Sequence, residues 1–374
     1  MGVPPGSKMT RRESLHGLGA LSLSAAAAMI APRHANGAPD REMLPALRTR
    51  TARSRIRFGC AAAAPGPETD AVLLEKVATE ANIFVPEGAL KWDQTEPQPN
   101  DFDFSAPDRI IDFADRHDMK VHGHTLVWYA AIPDWVSQLT TGREAEAALE
   151  RHIVTQVSRY RGKIWAWDVV NEPVEPEDRL EFGYRNSVWQ RLLGIEYVDR
   201  AFRLARSADP RTPLCLNEYG FEYTSAKSRN KRQALLALLR KLRDLSTPID
   251  CLGLQSHLEC DQVFDRQGFS DFLKSVVDLG FKVLITELDV NDVHISGNEF
   301  ERDAAVDRHA AEFLEIVFSV TRPTSIATWG LSDRYTWMKM YYKRADGKPL
   351  RPLPLDASYN RKMLWSTIGR YLSA

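Results

Sequence analysis

The stretch that decides the fold of this chain is residues 165–173, WAWDVVNEP. It reads as a short apolar strand, with Asp168 as its one charged residue, that runs into a polar tip at Asn171 and Glu172. Pro173 ends the strand because proline has no N–H to donate to a sheet. A carboxylate and an amide at the carboxyl end of a strand are poorly placed for packing. They are well placed for chemistry in a fold that forms its site there.

A second stretch, residues 281–289, has the same pattern, with the apolar run FKVLIT followed by Glu287 and Asp289. The two stretches predict that Glu172 and Glu287 are the two halves of one active site.

From about residue 55 onward, apolar runs alternate with segments of helical periodicity. The predicted strands cover residues 56–62, 82–85, 120–125, 164–170, 213–217, 249–255, 282–286 and 325–329. These strands are continuously apolar, as expected when both faces of a parallel sheet are buried. The pattern predicts an α/β fold, a single (β/α)₈ TIM barrel. A doubly wound open sheet is the alternative, but no GxGxxG or P-loop motif follows any of these strands.

The first residues resemble a bacterial export signal of the twin-arginine type. Arg11 and Arg12 precede a mildly apolar, alanine-rich segment over residues 17–30. The prediction is therefore an export signal over residues 1–38, a linker over 39–54 and a catalytic barrel over 55–374, in a periplasmic or extracellular protein. An irregular basic tail is the alternative reading of this end. With a net charge of −1, no nucleic-acid partner is expected. Stable membrane insertion is not expected either, because the alanine-rich segment is too short and too weakly apolar.

The four cysteines contain no CxxC pair. Export permits a disulfide, and Cys251 and Cys260 are the closest pair in sequence, but buried free thiols are expected because three of the four lie in predicted strands. The pair His122 and His124 would share a strand face, as metal ligands can, yet no metal or other cofactor is predicted. The basic run at the start of one helix is expected to be solvated; it comprises Lys227, Arg229, Lys231 and Arg232.

The carboxyl ends of barrel strands meet at one mouth, and six of the eight predicted strands end in residues that ionise or donate hydrogen bonds. Two glutamates at such a mouth indicate a glycosidase. One carboxyl protonates the leaving oxygen, and the other attacks the anomeric carbon or activates water.

The motifs WDVVNE (167–172) and ITELDV (285–290) resemble the acid/base and nucleophile segments of glycoside hydrolase family 10, the endo-β-1,4-xylanases. The resemblance covers roughly residues 56–370. It includes ALKWD (89–93), GHTLVW (123–128), QSHL (255–258) and WGLSD (329–333) in the family's order. It implies a barrel that cleaves internal β-1,4-xylosidic bonds of xylan or xylo-oligosaccharides with retention.

By position, the resemblance implies that Glu172 is the general acid/base and Glu287 the nucleophile, with His257 bound to Glu287 and oriented by Asp289. Glu172 would begin the reaction protonated, favoured by the nearby charge of Glu287. The implied substrate-binding residues are Glu87, Lys91, His124, Trp128, Asn171, Asn217, Tyr219, Gln255, Trp329 and Trp337. Among these, Asn171 would donate to the sugar 2-hydroxyl and the tryptophans would wall the ring at the cleaved bond.

Several positions depart from the family pattern. Gly88 stands where the family usually has Asn, Tyr129 where it has His, Ala131 where it has Gln, and Glu218 where it has Asp. The changes predict a weaker hold on the second glycon ring.

A monomer is favoured. Another retaining barrel glycosidase, such as a β-glucanase or mannanase, and a catalytically silent carbohydrate-binding barrel remain alternatives.

Overall fold

The computed structural model describes residues 41–373, apart from the side chains at positions 52 and 53. The predicted export signal over residues 1–38 lies outside this range and stays a prediction. Within residues 41–373, no helix combines the length and the apolar character needed to cross a membrane.

Eight parallel strands form a closed barrel, as the sequence predicts. They are β1 (Arg57–Ala62), β2 (Ile83–Pro86), β3 (Lys120–Gly123), β4 (Ile164–Asn171), β5 (Leu214–Glu218), β6 (Cys251–Leu254), β8 (Lys282–Asn291) and β9 (Ser325–Thr328). Neighbours pair in chain order, β9 pairs with β1, and pairing of β6 with β8 completes the ring. The fold is therefore a (β/α)₈ barrel.

A ninth strand that the sequence does not reveal, β7 (His257–Glu259), pairs with the outer end of β8. His257 lies opposite Asp289, and Glu259 lies opposite Asn291. This is possible because β8 continues to Asn291, beyond the predicted end at residue 286. The extension holds the segment after β6 in a strand, so His257 projects from regular structure.

Helices surround the barrel. They are α1 (Leu47–Ser54), α2 (Ala71–Glu80), α3 (Trp92–Thr95), α4 (Ser105–Arg116), α5 (Asp134–Ser137), α6 (Gly142–Arg159), α7 (Val188–Leu193), α8 (Glu196–Ala208), α9 (Ala226–Asp244), α10 (Arg266–Asp278), α11 (Glu299–Val320) and α12 (Met363–Ser373). Short 3₁₀ helices cover Arg41–Met43, Pro176–Asp178, Glu181–Gly183, Asp333–Tyr335 and Trp337–Met340.

Local sequence accounts for several helix starts and for one close strand contact. Capping boxes open α6 at Thr141 and α11 at Asn298. Within the barrel, a Cβ on Gly123 would lie 2.2 Å from the Trp167 ring, so only glycine on β3 lets this buried indole pack against it.

The barrel domain begins earlier than predicted, because the expected linker over residues 39–54 contains α1, which packs against α12. Buried Glu80 at the end of α2 joins these elements. Its carboxylate accepts hydrogen bonds from Leu47 N at 2.9 Å, Trp365 Nε1 at 3.0 Å and Arg361 Nη2 at 2.6 Å. Leu47 is itself fully buried. Residues 47–54 are therefore part of the folded domain.

The expectation of free thiols is wrong for two of the four cysteines. Cys215 and Cys251 form a disulfide, because they are direct register partners on neighbouring strands β5 and β6. Cys60 is free and buried, and Cys260 is free and partly buried. The register between neighbouring strands, rather than closeness in sequence, decides which cysteines meet.

Candidate active site

A cleft of about 700 Å³ opens at the carboxyl ends of the strands. Twelve of the fourteen predicted site residues line it: Glu87, Lys91, His124, Trp128, Asn171, Glu172, Tyr219, Gln255, His257, Glu287, Trp329 and Trp337. The other two, Asn217 and Asp289, are fully buried beneath it. Asn217 was expected to contact substrate, but its position under the cleft floor lets it hold other side chains instead.

Glu172 is the first residue after β4, and its backbone lies in the left-handed region with φ of 56°. A non-glycine residue there carries backbone strain, which native structures retain mainly at functional sites. Its Oε1 accepts hydrogen bonds from Gln255 Nε2 at 3.0 Å and Asn171 Nδ2 at 3.2 Å. Its Oε2 lies 3.6 Å from Arg185 Nη2, beyond hydrogen-bond distance. The carboxyl is thus oriented through one oxygen.

Amide side chains connect the two glutamates. Asn217 Nδ2 donates to Glu287 Oε1 at 2.7 Å and to Asn171 Oδ1 at 2.9 Å. Gln255 Nε2 donates to the same Asn171 oxygen at 3.2 Å. Since Asn171 Oδ1 accepts both bonds, the orientation of its amide is determined.

Glu287 on β8 faces a histidine that is itself held by a carboxylate. His257 Nε2 lies 3.2 Å from Glu287 Oε2, and His257 Nδ1 lies 2.8 Å from Asp289 Oδ1. Burial alone would raise the pKa of Glu287, but the hydrogen bond from His257 and the charge of His124 lower it. Burial lowers the pKa of His257, while Asp289 and Glu287 raise it well above its usual value. An imidazolium beside Glu287 keeps that carboxylate ionised.

The predicted histidine pair binds a carboxylate. His122 Nε2 and His124 Nδ1 each lie 2.9 Å from an oxygen of buried Asp168. Burial raises the pKa of Asp168, but the two histidines outweigh it and bring the value to about 2. Asp168, the one charge in the apolar run of β4, was the sequence signal for this contact. Across the described span, His, Cys, Asp and Glu form no group of three or more suited to a metal ion.

Aromatic rings enclose one side of the cleft. Lys91 Nζ lies 5.0 Å from the Trp128 ring centroid and 5.6 Å from that of Trp329. His124 packs edge-on against Trp329 at 5.0 Å. Trp337 Nε1 donates to Asp289 at 2.8 Å, which ties this ring to the His257 support. Flat rings beside cationic donors suit a sugar, which offers a C–H face and a rim of hydroxyls.

The sequence did not reveal a set of buried charges beside Glu172. Arg185 Nε donates to the backbone oxygen of Glu172 at 2.7 Å, and its guanidinium lies 4.1 Å from the Tyr129 ring. Lys231 and Arg232, expected to be solvated, are 0% and 7% exposed. Arg185 lies in a long connection, where no regular residue spacing predicts its position. Lys231 belongs to a run of basic residues, and the composition of that run does not indicate that this side chain faces inward.

Comparison with known proteins identifies the family. The model of glycosyl hydrolase family 10 matches residues 46–371. Endo-1,4-beta-xylanase B of Thermotoga neapolitana is 33% identical over 299 residues, which are 79% of this chain and 82% of that protein. The crystal structure of xylanase 10B from Thermotoga petrophila in complex with xylobiose is 31% identical, with a TM-score of 0.79 over 88% of this chain and 97% of that one. The chain belongs to glycosyl hydrolase family 10 and is a glycoside hydrolase.

Proposed function

We propose that this protein is an endo-β-1,4-xylanase that hydrolyses internal xylosidic bonds with retention of anomeric configuration. The observation that carries the proposal is the pair of glutamates at one cleft, which differ in their hydrogen-bond partners. Glu287 lies against His257, which favours its ionised form. Glu172 has one oxygen held by amides and the other beyond hydrogen-bond distance of Arg185.

In the proposed reaction, the Glu287 carboxylate attacks the anomeric carbon while Glu172 gives its proton to the departing glycosidic oxygen. The bond from Glu287 to the sugar replaces the glycosidic bond, and the released chain leaves with the proton. A water molecule then attacks the anomeric carbon, the bond from Glu287 to the sugar breaks and releases Glu287 as a carboxylate, and Glu172 takes one proton of the water as general base. Each glutamate ends the cycle in its starting protonation state.

The surrounding side chains suit the binding of a xylosyl ring at the cleaved bond. Asn171 donates one amide hydrogen to Glu172, and its second hydrogen remains for the sugar 2-hydroxyl. A bond to that hydroxyl that strengthens in the transition state accelerates the reaction. Lys91 and His124 supply donors for other hydroxyls, and Trp128, Trp329 and Trp337 form the walls.

The test compares wild type with Glu172→Gln and Glu287→Gln on xylan. The exposed Glu177→Gln is the matched control, since Glu177 pairs with Lys227 at the surface. We expect each active-site variant to lose at least about a thousandfold in kcat/KM, and the control to keep its activity. Xylan activity in either variant equal to wild type would overturn the assigned roles.

Stereochemistry and substrate class are tested separately. Proton NMR of the first product should show the β-anomer before mutarotation; an α-anomer would exclude the covalent intermediate. Side-by-side assays on arabinoxylan, glucuronoxylan, mannan and cellulose should show preference for the xylans. Faster release of sugar from mannan or cellulose would instead assign the cleft to another glycosidase of this chemistry.

The glycon side is proposed to bind its second ring loosely. A Cβ on Gly88 would meet no heavy atom within 4 Å, so a side chain is missing where space exists. Tyr129 packs on Arg185, beside Glu172, and so does not replace the missing contact. We expect Gly88→Asn to lower KM for xylotetraose, with kcat little changed. An unchanged or raised KM would contradict this proposal.

A further inference from the structure

Five charged side chains form a buried cluster at the acid/base. They are Glu172, Glu175, Arg185, Glu218 and Lys231, and each is less than a tenth exposed. Lys231 Nζ lies 2.9 Å from Glu218 Oε1 and 3.9 Å from Glu175 Oε2. Arg185 Nη2 lies 3.6 Å from Glu172 Oε2 and 3.6 Å from Glu175 Oε2. The cluster joins α9 and β5 to the catalytic end of β4.

The charges of this cluster do not balance when all five groups are ionised, because three carboxylates face two cations. Lys227 Nζ also lies 4.0 Å from Glu175 Oε2, but it pairs with exposed Glu177 at the surface, so the two together add no net charge. Arginine does not lose its proton in proteins, and Lys231 is held by carboxylates and lies 3.2 Å from the Tyr219 ring centroid. An uncompensated buried charge is costly, so the balanced state of the cluster carries one proton on a carboxyl group.

Hydrogen bonds decide which carboxyl is suited to carry that proton. Glu218 accepts from Val174 N and Tyr219 N, each at 3.1 Å, besides its contact with Lys231. Glu175 accepts from the Tyr219 hydroxyl at 3.0 Å. Burial raises the pKa of Glu218 and the negative charge of Glu172 raises it further, whereas Lys231 and Arg185 lower it. A proton on Glu172 removes the second of the causes that raise it, and the donors around Glu175 and Glu218 favour their ionised forms. Oε2 of Glu172, by contrast, lies beyond hydrogen-bond distance of Arg185.

We propose that the buried pair of Glu218 and Lys231 is a positioning device for the catalytic proton: by remaining an ion pair, it leaves Glu172 as the carboxyl that holds the proton of the cluster. The inference rests on the proposed role of Glu172 as the acid. Neither residue touches the reacting atoms, since both are fully buried below the cleft. Glutamate at position 218 reaches Lys231 while also accepting two backbone N–H groups.

The other titratable groups around the cleft belong to every neighbouring element. They are Glu87 and Lys91 after β2, His124 and Tyr129 after β3, Tyr197 on α8, Tyr219, Glu222 and Tyr223 after β5, Lys227 on α9, His257 and Glu259 on β7, Glu287 on β8, and Tyr341 and Tyr342 after β9. All remain in place in the variants below, so a difference between variants reports the altered pair.

The test is the pH at which kcat/KM for xylan falls on the alkaline side. Glu218→Gln removes a negative charge and should move this limb down by about one pH unit, because it favours ionisation of Glu172. Lys231→Met removes a positive charge and should move the limb up. The double variant should return it toward wild type. The exposed Lys241→Met on the same helix, which loses a surface pair with Glu196, is the control and should not move it.

A merely structural role would lower kcat without shifts of opposite sign. The proposal is overturned if both single variants move the limb in the same direction, or if neither moves it. A dinitrophenyl xyloside, whose leaving group departs without protonation, should show no such shifts and thereby assigns them to the acid step. A failure of the proposed function gives a different result. Glu172→Gln would then retain activity on xylan, whatever happens to the alkaline limbs of the pH profiles of the other variants.

Discussion

The disulfide between Cys215 and Cys251 should contribute substantially to stability. It closes a loop with a sequence separation of 36 between two neighbouring barrel strands. The chain-entropy relation, −2.1 − 1.5R ln n cal/mol/K, gives about 4 kcal/mol at 25 °C for a loop of this length. With a urea m value of about 3 kcal/mol/M, losing the bond should lower the unfolding midpoint by about 1 M.

The perturbation is Cys215→Ala with Cys251→Ala, followed by urea unfolding monitored by tryptophan fluorescence. Both sulfurs are buried, so part of the loss would come from packing rather than from the cross-link. Cys60→Ala, which removes a buried free thiol, measures that part. Each variant is compared by how far it lowers the urea midpoint. If the double variant lowers it by no more than about twice the decrease caused by Cys60→Ala, the contribution of the cross-link is refuted. Wild type refolded with reductant lacks the cross-link but keeps both sulfur atoms. Its midpoint should therefore match that of the double variant, apart from the part that the double variant loses through packing.

Two further predictions concern the nucleophile and the domain boundary. His257→Ala should move the acidic limb of kcat/KM to higher pH, because activity needs ionised Glu287 and the lost hydrogen bond and charge had lowered its pKa; a fall in kcat with an unmoved limb would contradict this. Removal of residues 1–54 should lower Tm by at least about 5 °C relative to removal of residues 1–40, because Glu80 loses the N–H donor of α1. Equal Tm values for the two truncations would show that α1 is dispensable.

The barrel could be predicted because each strand is a continuous apolar run, and the two glutamates because they end such runs. The apolar pattern does not predict β7, because its three residues form a strand only by pairing with the extension of β8. It does not predict α1 either, because this helix has a mostly polar sequence, with Leu47 as its buried apolar residue.

The charges behind the cleft could not be predicted for a different reason. Lys231 belongs to a basic run that composition assigns to solvent, and only the rotation of α9 against β5 turns it toward Glu218. The disulfide likewise depends on register, since Cys215 and Cys251 are level on adjacent strands. Long-range partners of charged and sulfur-bearing side chains are a property of packing, which local periodicity does not encode.

The contact between α1 and α12 brings the two ends of the described domain together. Arg41 Nε donates to Ser366, and Ser54 donates to the backbone of Leu372 at 2.6 Å. The seven positions from Ser366 to Ser373 span about 10 Å of helix, a distance that a few glycine and serine residues bridge. New termini could then be opened at the exposed turn over residues 161–163, which enters β4 at the face away from the cleft. The barrel is thus suited to circular permutation with every proposed catalytic group left in place.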